Sequence, residues 1–167
     1  MSPRVTVLMS VYNGQGFLRQ AIQSILNQTF TDFEFLIIED GSTDATVEIV
    51  RSFPDQRIKL CLNGSNIGLI SSLNQGLSLA TGEYIARMDA DDISLSTRLE
   101  RQVAFMDAHP SVGVCGSWLE TFGIPPKSRW CPPADDAQIR CEHLFHSVIY
   151  HPTVILRKDF FAKHNLS

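Results

Sequence analysis

Four short apolar runs, each leaving into a polar turn, govern what this chain can fold into. They cover residues 4–9, 33–39, 57–62 and 83–88. Between them, apolar residues recur three and four positions apart. Phe17, Leu18, Ala21, Ile22, Ile25 and Leu26 do so within 14–28, Val47, Ile49 and Val50 within 43–53, and Leu69, Leu73, Leu77 and Ala80 within 69–80. Such spacing predicts amphipathic helices. Ser42 or Thr43 is placed to cap the second, and Thr81-Gly82 closes the third. Strands alternating with helices predict an α/β chain, with a mostly parallel, Rossmann-like central sheet flanked by helices.

Beyond residue 95 the pattern loosens. A fourth helix is expected over 96–108, stopped by His109-Pro110, and a fifth strand region over 111–121. Residues 123–133 are proline-rich and read as loop. A helix over 134–145, a strand over 146–156 and the start of a helix at 158–164 complete the expectation. At 167 residues the whole chain fits one domain, 1–167, able to bury a core.

Charge and cysteines narrow the function classes. A net charge of −4 without a long basic run leaves nucleic-acid binding no electrostatic footprint. The four cysteines, Cys61, Cys115, Cys131 and Cys141, form no C-x-x-C pair. Cys131 and Cys141 lie near His143 and His146, but the spacings miss the usual zinc patterns, so free thiols in a reducing compartment are expected. The N-terminus is wrongly flanked for a signal peptide, and no apolar stretch approaches membrane-spanning length. A cytoplasmic location is expected.

In open α/β sheets, ligands bind beyond the carboxyl ends of the strands. Those exits here are Ser10-Val11-Tyr12-Asn13-Gly14, Glu39-Asp40-Gly41-Ser42-Thr43-Asp44, Asn63-Gly64-Ser65-Asn66-Ile67-Gly68, and Asp89-Ala90-Asp91-Asp92. If the strands are parallel and adjacent, the four turns converge on one edge. Asp89 and Asp91, at i and i+2, share a side of the chain, an arrangement suited to a hard divalent cation and through it a phosphate. Arg87 lies on the same face and reads as a neutraliser of the acids. A surface acidic turn is the plainer alternative. Asp40 fits either a turn and helix cap or an acceptor for a base-edge N–H. Tyr12 suits packing or a platform for a planar base. Asn66 and Gly68 suit the start of a helix. Gly14-x-Gly16 lacks the third glycine of a dinucleotide fingerprint.

With these residues in place the chain resembles the family 2 glycosyltransferases, which have the GT-A fold. The likeness is carried by Val5-Thr6-Val7-Leu8-Met9-Ser10-Val11-Tyr12-Asn13, Ser24-Ile25-Leu26-Asn27-Gln28-Thr29-Phe30, and Phe35-Leu36-Ile37-Ile38-Glu39-Asp40-Gly41-Ser42-Thr43-Asp44. It continues in Asn66-Ile67-Gly68 with Asn74-Gln75-Gly76, and in Thr81-Gly82-Glu83-Tyr84-Ile85-Ala86-Arg87-Met88-Asp89-Ala90-Asp91-Asp92. The resemblance implies a nucleotide diphosphate sugar donor, with Ser10 and Tyr12 lining the nucleoside pocket and Asp40 contacting the base, UDP favoured. Asn66 and Gly68 would lie near the nucleoside. Asp89 and Asp91 would be the D-x-D pair, Asp91 on the metal and Asp89 on the ribose or the metal. Mn²⁺ or Mg²⁺ would neutralise the departing diphosphate. The acceptor would be a glycan or lipid-linked, met at the inner face of a membrane.

One departure from the family is expected to matter. Inverting transfer needs a general base for the acceptor hydroxyl, which in this family usually follows the segment resembling His151-Pro152-Thr153-Val154. The residues after it hold one acid, Asp159, which reads as a helix cap, while Asp135 and Asp136 read as a helix start. The expectation is a donor half whose base lies beyond Ser167. The alternatives are a donor-binding but catalytically incomplete domain or a sugar nucleotidyltransferase. The latter would want a basic phosphate loop after the first strand, where Val11-Tyr12-Asn13-Gly14-Gln15 has no Lys or Arg. A D-x-D phosphatase would want its nucleophilic Asp there.

Overall fold

The structure is a computed structural model that describes residues 2–123 and 127–160. In chain order its elements are β1 (Val5–Val11), α1 (Leu18–Leu26), β2 (Phe33–Glu39), α2 (Thr46–Arg51), β3 (Ile58–Leu62), α3 (Leu69–Leu79), β4 (Tyr84–Asp89), α4 (Arg98–Ala108), β5 (Val114–Cys115), β6 (Leu119–Glu120), β7 (Arg129–Trp130), α5 (Asp136–His143), a 3₁₀ turn (His151–Thr153) and β8 (Ile155–Arg157). Six strands form one sheet in the order β3-β2-β1-β4-β8-β5, and β6 and β7 pair separately. The first four strands are mutually parallel, and β8 runs antiparallel to both its neighbours.

Alternation along the strands sorts the core into two layers. Val5, Val7, Met9 and Val11 of β1 face one side, where they pack with Leu18, Ile22 and Ile25 of α1, Val50 of α2, and Leu99 and Val103 of α4. Leu8 faces the other side, with Leu36, Ile38 and Ile85 beneath Leu73 and Leu77 of α3. A sheet covered on both faces explains why β1 and β2 read as continuous apolar runs. Each buried Ile or Phe contributes about 1.5–3 kcal/mol of hydrophobic stabilisation.

The register sets the height of the strand exits. Val11 is level with Glu39, Glu39 with Leu62, and Ser10 with Asp89. The turns after β1, β2, β3 and β4 therefore leave from one edge, as required for them to converge. The chain adds β2 and β3 to one side of β1 and then crosses to place β4 on the other. That reversal opens a crevice between the β1 and β4 exits, the usual ligand position in such sheets.

Several expectations need correction. The first helix starts at Leu18 rather than residue 14, because 14–17 form a turn. Neither Ser42 nor Thr43 caps the second helix. It starts at Thr46, whose N–H donates to Asp44 Oδ1, while Ser42 Oγ accepts from the Asn13 N–H. On α3 the deepest residues are Ser72 and Gly76 rather than Leu69, which is half exposed. Leu8 approaches so closely that a Cβ on Gly76 would meet its Cδ1. The expected strand over 111–121 divides into β5 and β6, and the expected loop over 123–133 contains β7, which pairs with β6. The expected strand over 146–156 shrinks to β8, preceded by the 3₁₀ turn in which Pro152 sits. Residues 158–160 are helical, and the rest of the helix expected there lies outside the described residues.

Candidate nucleotide-sugar site

The turns after β1 and β2 are laced together by side chains acting on backbone. Asn13 takes a positive φ of 52°. From there its Oδ1 accepts from the Thr43 N–H (2.9 Å), while its own N–H donates to Ser42 Oγ (2.9 Å). The Gly14 N–H donates to Thr46 Oγ1 and the Gln15 N–H to Asp44 Oδ2. Tyr12 and Phe17 are left half exposed on the outer surface of this turn.

Asp40 ties the turn after β2 to the turn after β3. Its Oδ1 accepts from Asn63 Nδ2 (2.9 Å) and the Ile67 N–H (3.0 Å), and its Oδ2 from the Gly68 N–H (3.0 Å). Burial pushes the carboxyl up, but those donors, with the Ser72 hydroxyl, outweigh it and hold the pKa below the usual range. Asp40 is only 2% exposed, shut in by its immediate loop neighbours although it lies near the protein surface. Gly41 (φ 74°) makes this approach possible, since a Cβ there would come within 2.8 Å of the Ser65 and Asn66 backbone. Asn66 Oδ1 accepts from the same Gly68 N–H (3.1 Å), and Gly68 (φ 90°) leads into α3.

The β4 exit gathers Asp89, Asp91 and Asp92, with one carboxylate oxygen of each within 4.8 Å of the others. Arg87 meets Asp89 at two points, each guanidinium nitrogen 2.6 Å from a carboxylate oxygen. Behind them Arg98 donates to the carbonyls of Arg87 (2.8 Å) and Val154 (3.2 Å). Burial lowers the Arg98 pKa to about 10; Asp92 opposes that shift and Arg87 adds to it. Asp92 is raised, by burial first and then by the charges of Asp89 and Asp91. Among the described residues no donor occupies the side chains of Asp91 or Asp92. This donor set fits a hard divalent cation: several carboxylate oxygens, an exposed ligand in Asp91, and like charges that lack a counter-ion beyond Arg87 and Arg98.

An open cavity of about 280 Å³ lies between the β1 and β4 exits, lined by Ser10, Tyr12, Gly14, Phe17, Asp89 and Asp91 among others. It brings together four of the seven residues named from sequence. Asp40, Asn66 and Gly68 form an adjoining cluster between the β2 and β3 exits and do not line this cavity. Phe17, read as part of the first helix's apolar stripe, and Gly14, read as half of an incomplete glycine fingerprint, were not named as site residues. Asp92 stood in the acid triplet but was not named as a ligand, since it falls outside the i, i+2 pair.

The model for glycosyl transferase family 2 matches residues 6–164. This chain belongs to that family. An uncharacterized glycosyltransferase of Haemophilus influenzae is 35% identical over 98% of the chain and 54% of its own length. The chain thus spans about half the length of that curated relative. The crystal structure of Staphylococcus aureus TarS 1–349 in complex with UDP-GlcNAc superposes with a TM-score of 0.76 at 23% identity, covering 97% of this chain and 47% of that one. The mannosyltransferase PcManGT of Pyrobaculum calidifontis, in complex with GDP-Man and Mn²⁺, gives 0.74 at 22% identity, covering 98% and 47%. The fold is therefore that of the GT-A glycosyltransferases.

Proposed function

We propose that residues 1–167 form the donor-binding part of a metal-dependent inverting glycosyltransferase that takes a nucleotide diphosphate sugar. The observation that carries this is the cluster of Asp89, Asp91 and Asp92 on the rim of the cavity walled by Ser10 and Tyr12. Asp91 and Asp92 are the freest ligands for Mn²⁺ or Mg²⁺, since Asp89 is engaged by Arg87. Asp89 is then suited to the ribose, or to the metal through its remaining lone pairs. A bound cation would supply Lewis-acid stabilisation of the leaving nucleoside diphosphate.

The base lies toward Asp40. Asp40 is 2% exposed and its carboxylate accepts from Asn63, Ile67 and Gly68, so an imide N–H such as that of uracil would reach it only by displacing part of the surrounding loop. Asn66 and Gly68 border that spot, and Tyr12 offers an exposed ring as a platform. Uridine is the favoured nucleoside. The two solved relatives carry UDP-GlcNAc and GDP-Man respectively, so the base is a property to be measured on this chain.

Inverting transfer also needs a general base for the acceptor hydroxyl. Asp135 caps α5 through the Gln138 N–H and Asp136 pairs with Arg140, so neither is poised as a base. The acceptor is a glycan or a lipid-linked sugar, met at the cytoplasmic face of a membrane. No described helix is long and apolar enough to cross one.

Calorimetric titration with UDP, GDP and TDP, with Mn²⁺, with Mg²⁺ and with chelator, tests the reading. Binding of UDP that needs the cation supports it. Equal affinity in chelator would remove the metal role, and preference for another base would remove the uridine assignment.

A further inference from the structure

We propose that a cavity of about 400 Å³ between β7, α5 and the segment leading to the 3₁₀ turn is a binding subsite for a neutral pyranose ring of the acceptor. This rests on the reading of the chain as part of a glycosyltransferase. Trp130 and Tyr150 meet there edge to face, ring centroids 5.7 Å apart, and Trp130 keeps about half its surface open. Gln138, Glu142 and His146 ring the same space. Aromatic walls with a few convergent polar groups are the composition of a ligand pocket. The C–H face of a sugar stacks on such rings, while its hydroxyls need amide, carboxylate and imidazole partners.

Charge within the cavity favours an uncharged ligand. Arg129, its one arginine, is engaged by Glu120 across the β6–β7 pair (3.2 Å). Among the described residues the lining offers no other Lys or Arg, and Glu142, 3.9 Å from His146, would repel a phosphate. The pocket wall is braced: the Trp118 indole N–H donates to the Pro132 carbonyl (3.2 Å), fixing the 131–133 stretch.

Topology puts the cavity on the reacting side of the sheet. The Arg87 N–H donates to the Val154 carbonyl (2.9 Å), two residues before Asp89. Because β8 runs antiparallel to β4, the chain upstream of Val154 extends past the carboxyl end of β4, where the acids stand. Tyr150 is held to that path by the Thr153 N–H, which donates to its carbonyl (2.9 Å). Tyr150 thus stands beyond the carboxyl end of β4, on the side opposite β1 and apart from the cavity formed by Ser10 and Tyr12.

Both tryptophans of the chain, Trp118 and Trp130, belong to this region, so indole fluorescence reports it separately from the donor cavity. The test titrates the 167-residue chain, with UDP and Mn²⁺ present, with methyl β-glucopyranoside, following fluorescence and saturation-transfer NMR. The expected result is a saturable response with transfer strongest to the ring C–H protons. It should weaken about tenfold in Tyr150→Ala and in Trp130→Ala, both still folded by circular dichroism and both binding UDP as before. Trp130→Phe should retain most of the affinity. No response from the unaltered chain, or an equal one in both alanine variants, overturns the proposal. So does a response to glycerol 3-phosphate in place of the glycoside. UDP calorimetry on the same samples separates the two readings: glycoside binding without UDP binding would sink the donor assignment alone, and the reverse would sink this one alone.

Discussion

Arg87 and Asp89 form a two-point ion pair beside the cavity between the β1 and β4 exits, each guanidinium nitrogen 2.6 Å from a carboxylate oxygen. Their side chains are 13% and 32% exposed, so the pair is partly desolvated. Arg87 thus supplies fixed positive charge beside three acids, Asp91 and Asp92 being the ones left for a cation. Replacing Arg87 with Met should cost about 1–3 kcal/mol, below the range for a fully buried pair because water reaches Asp89. Saturating Mg²⁺ should restore part of that loss, since the cation substitutes for the missing charge. Urea denaturation with and without Mg²⁺ measures both; a loss indifferent to Mg²⁺ would disconnect the pair from the cation site.

Asp91 is exposed and carries no structural hydrogen bond among the described residues. Asp91→Asn should therefore leave stability within about 0.5 kcal/mol of the parent. The Mn²⁺-dependent part of UDP affinity should nevertheless fall at least about tenfold, as a carboxylate ligand is lost. Calorimetry beside a melting curve resolves the two effects. Unchanged metal dependence would shift the ligand role to Asp92 and Asp89.

Asp40 holds two loops by accepting from Asn63, Ile67 and Gly68. Asp40→Asn removes the charge and turns an amide NH₂ toward at least one donor, for an expected loss of about 1–2 kcal/mol. The pH dependence follows from the sign of the shift. The folded-state pKa lies below the usual 3.8, so this contribution is complete above that value and is lost as pH falls through the lower folded value. Asp40→Asn should flatten the acid limb of the stability profile below about pH 4 and leave the neutral region parallel. Denaturant midpoints across acid pH would show it.

Some of this architecture was legible and some was not, for identifiable reasons. β1 and β2 declare themselves because strands buried on both faces must be largely apolar; β3, at the sheet edge and only partly buried, and β4 show chiefly as short apolar runs that end in polar turns. The deep face of α3 stayed hidden because Ser72 and Gly76 are neither large nor apolar; Gly76 is small because Leu8 presses on it. The short β5, β6 and β7 have two residues each, too few for period-two alternation to register. Asp40 announced itself as a turn residue, but its partners lie 23–28 residues downstream, beyond any local pattern.

Gly41 stands where the second and third turns touch. Gly41→Ala would demand a positive φ from alanine and force the Ser65–Asn66 backbone aside. The expected cost is about 1–3 kcal/mol. Because the displaced segment carries Asn66 and Gly68, UDP affinity should fall more than in a surface variant of equal stability, such as one made on α5. Matching variants by melting temperature and comparing their UDP binding tests this.

Gln28 acts at a distance from the cavity by fastening the segment that follows the acids. It is buried just beyond α1, where its Nε2 donates to the Ser94 hydroxyl (3.2 Å) and to the carbonyls of Leu95 (2.9 Å) and Ser24 (3.1 Å). Its Oε1 accepts from the Leu99 N–H at the start of α4 (3.0 Å). Gln28→Ala leaves the buried Leu99 N–H without this partner, while the Leu95 carbonyl keeps the Arg98 N–H, for an expected loss of about 1–3 kcal/mol. The segment from Asp91 to Thr97 then has fewer fixed points between β4 and α4, and the spacing of the three carboxylates loosens. Mn²⁺-dependent UDP affinity should drop severalfold at temperatures well below unfolding, while affinity measured in chelator stays level. A loss of stability with both affinities intact would mean that Gln28 supports only the packing of α1 on α4.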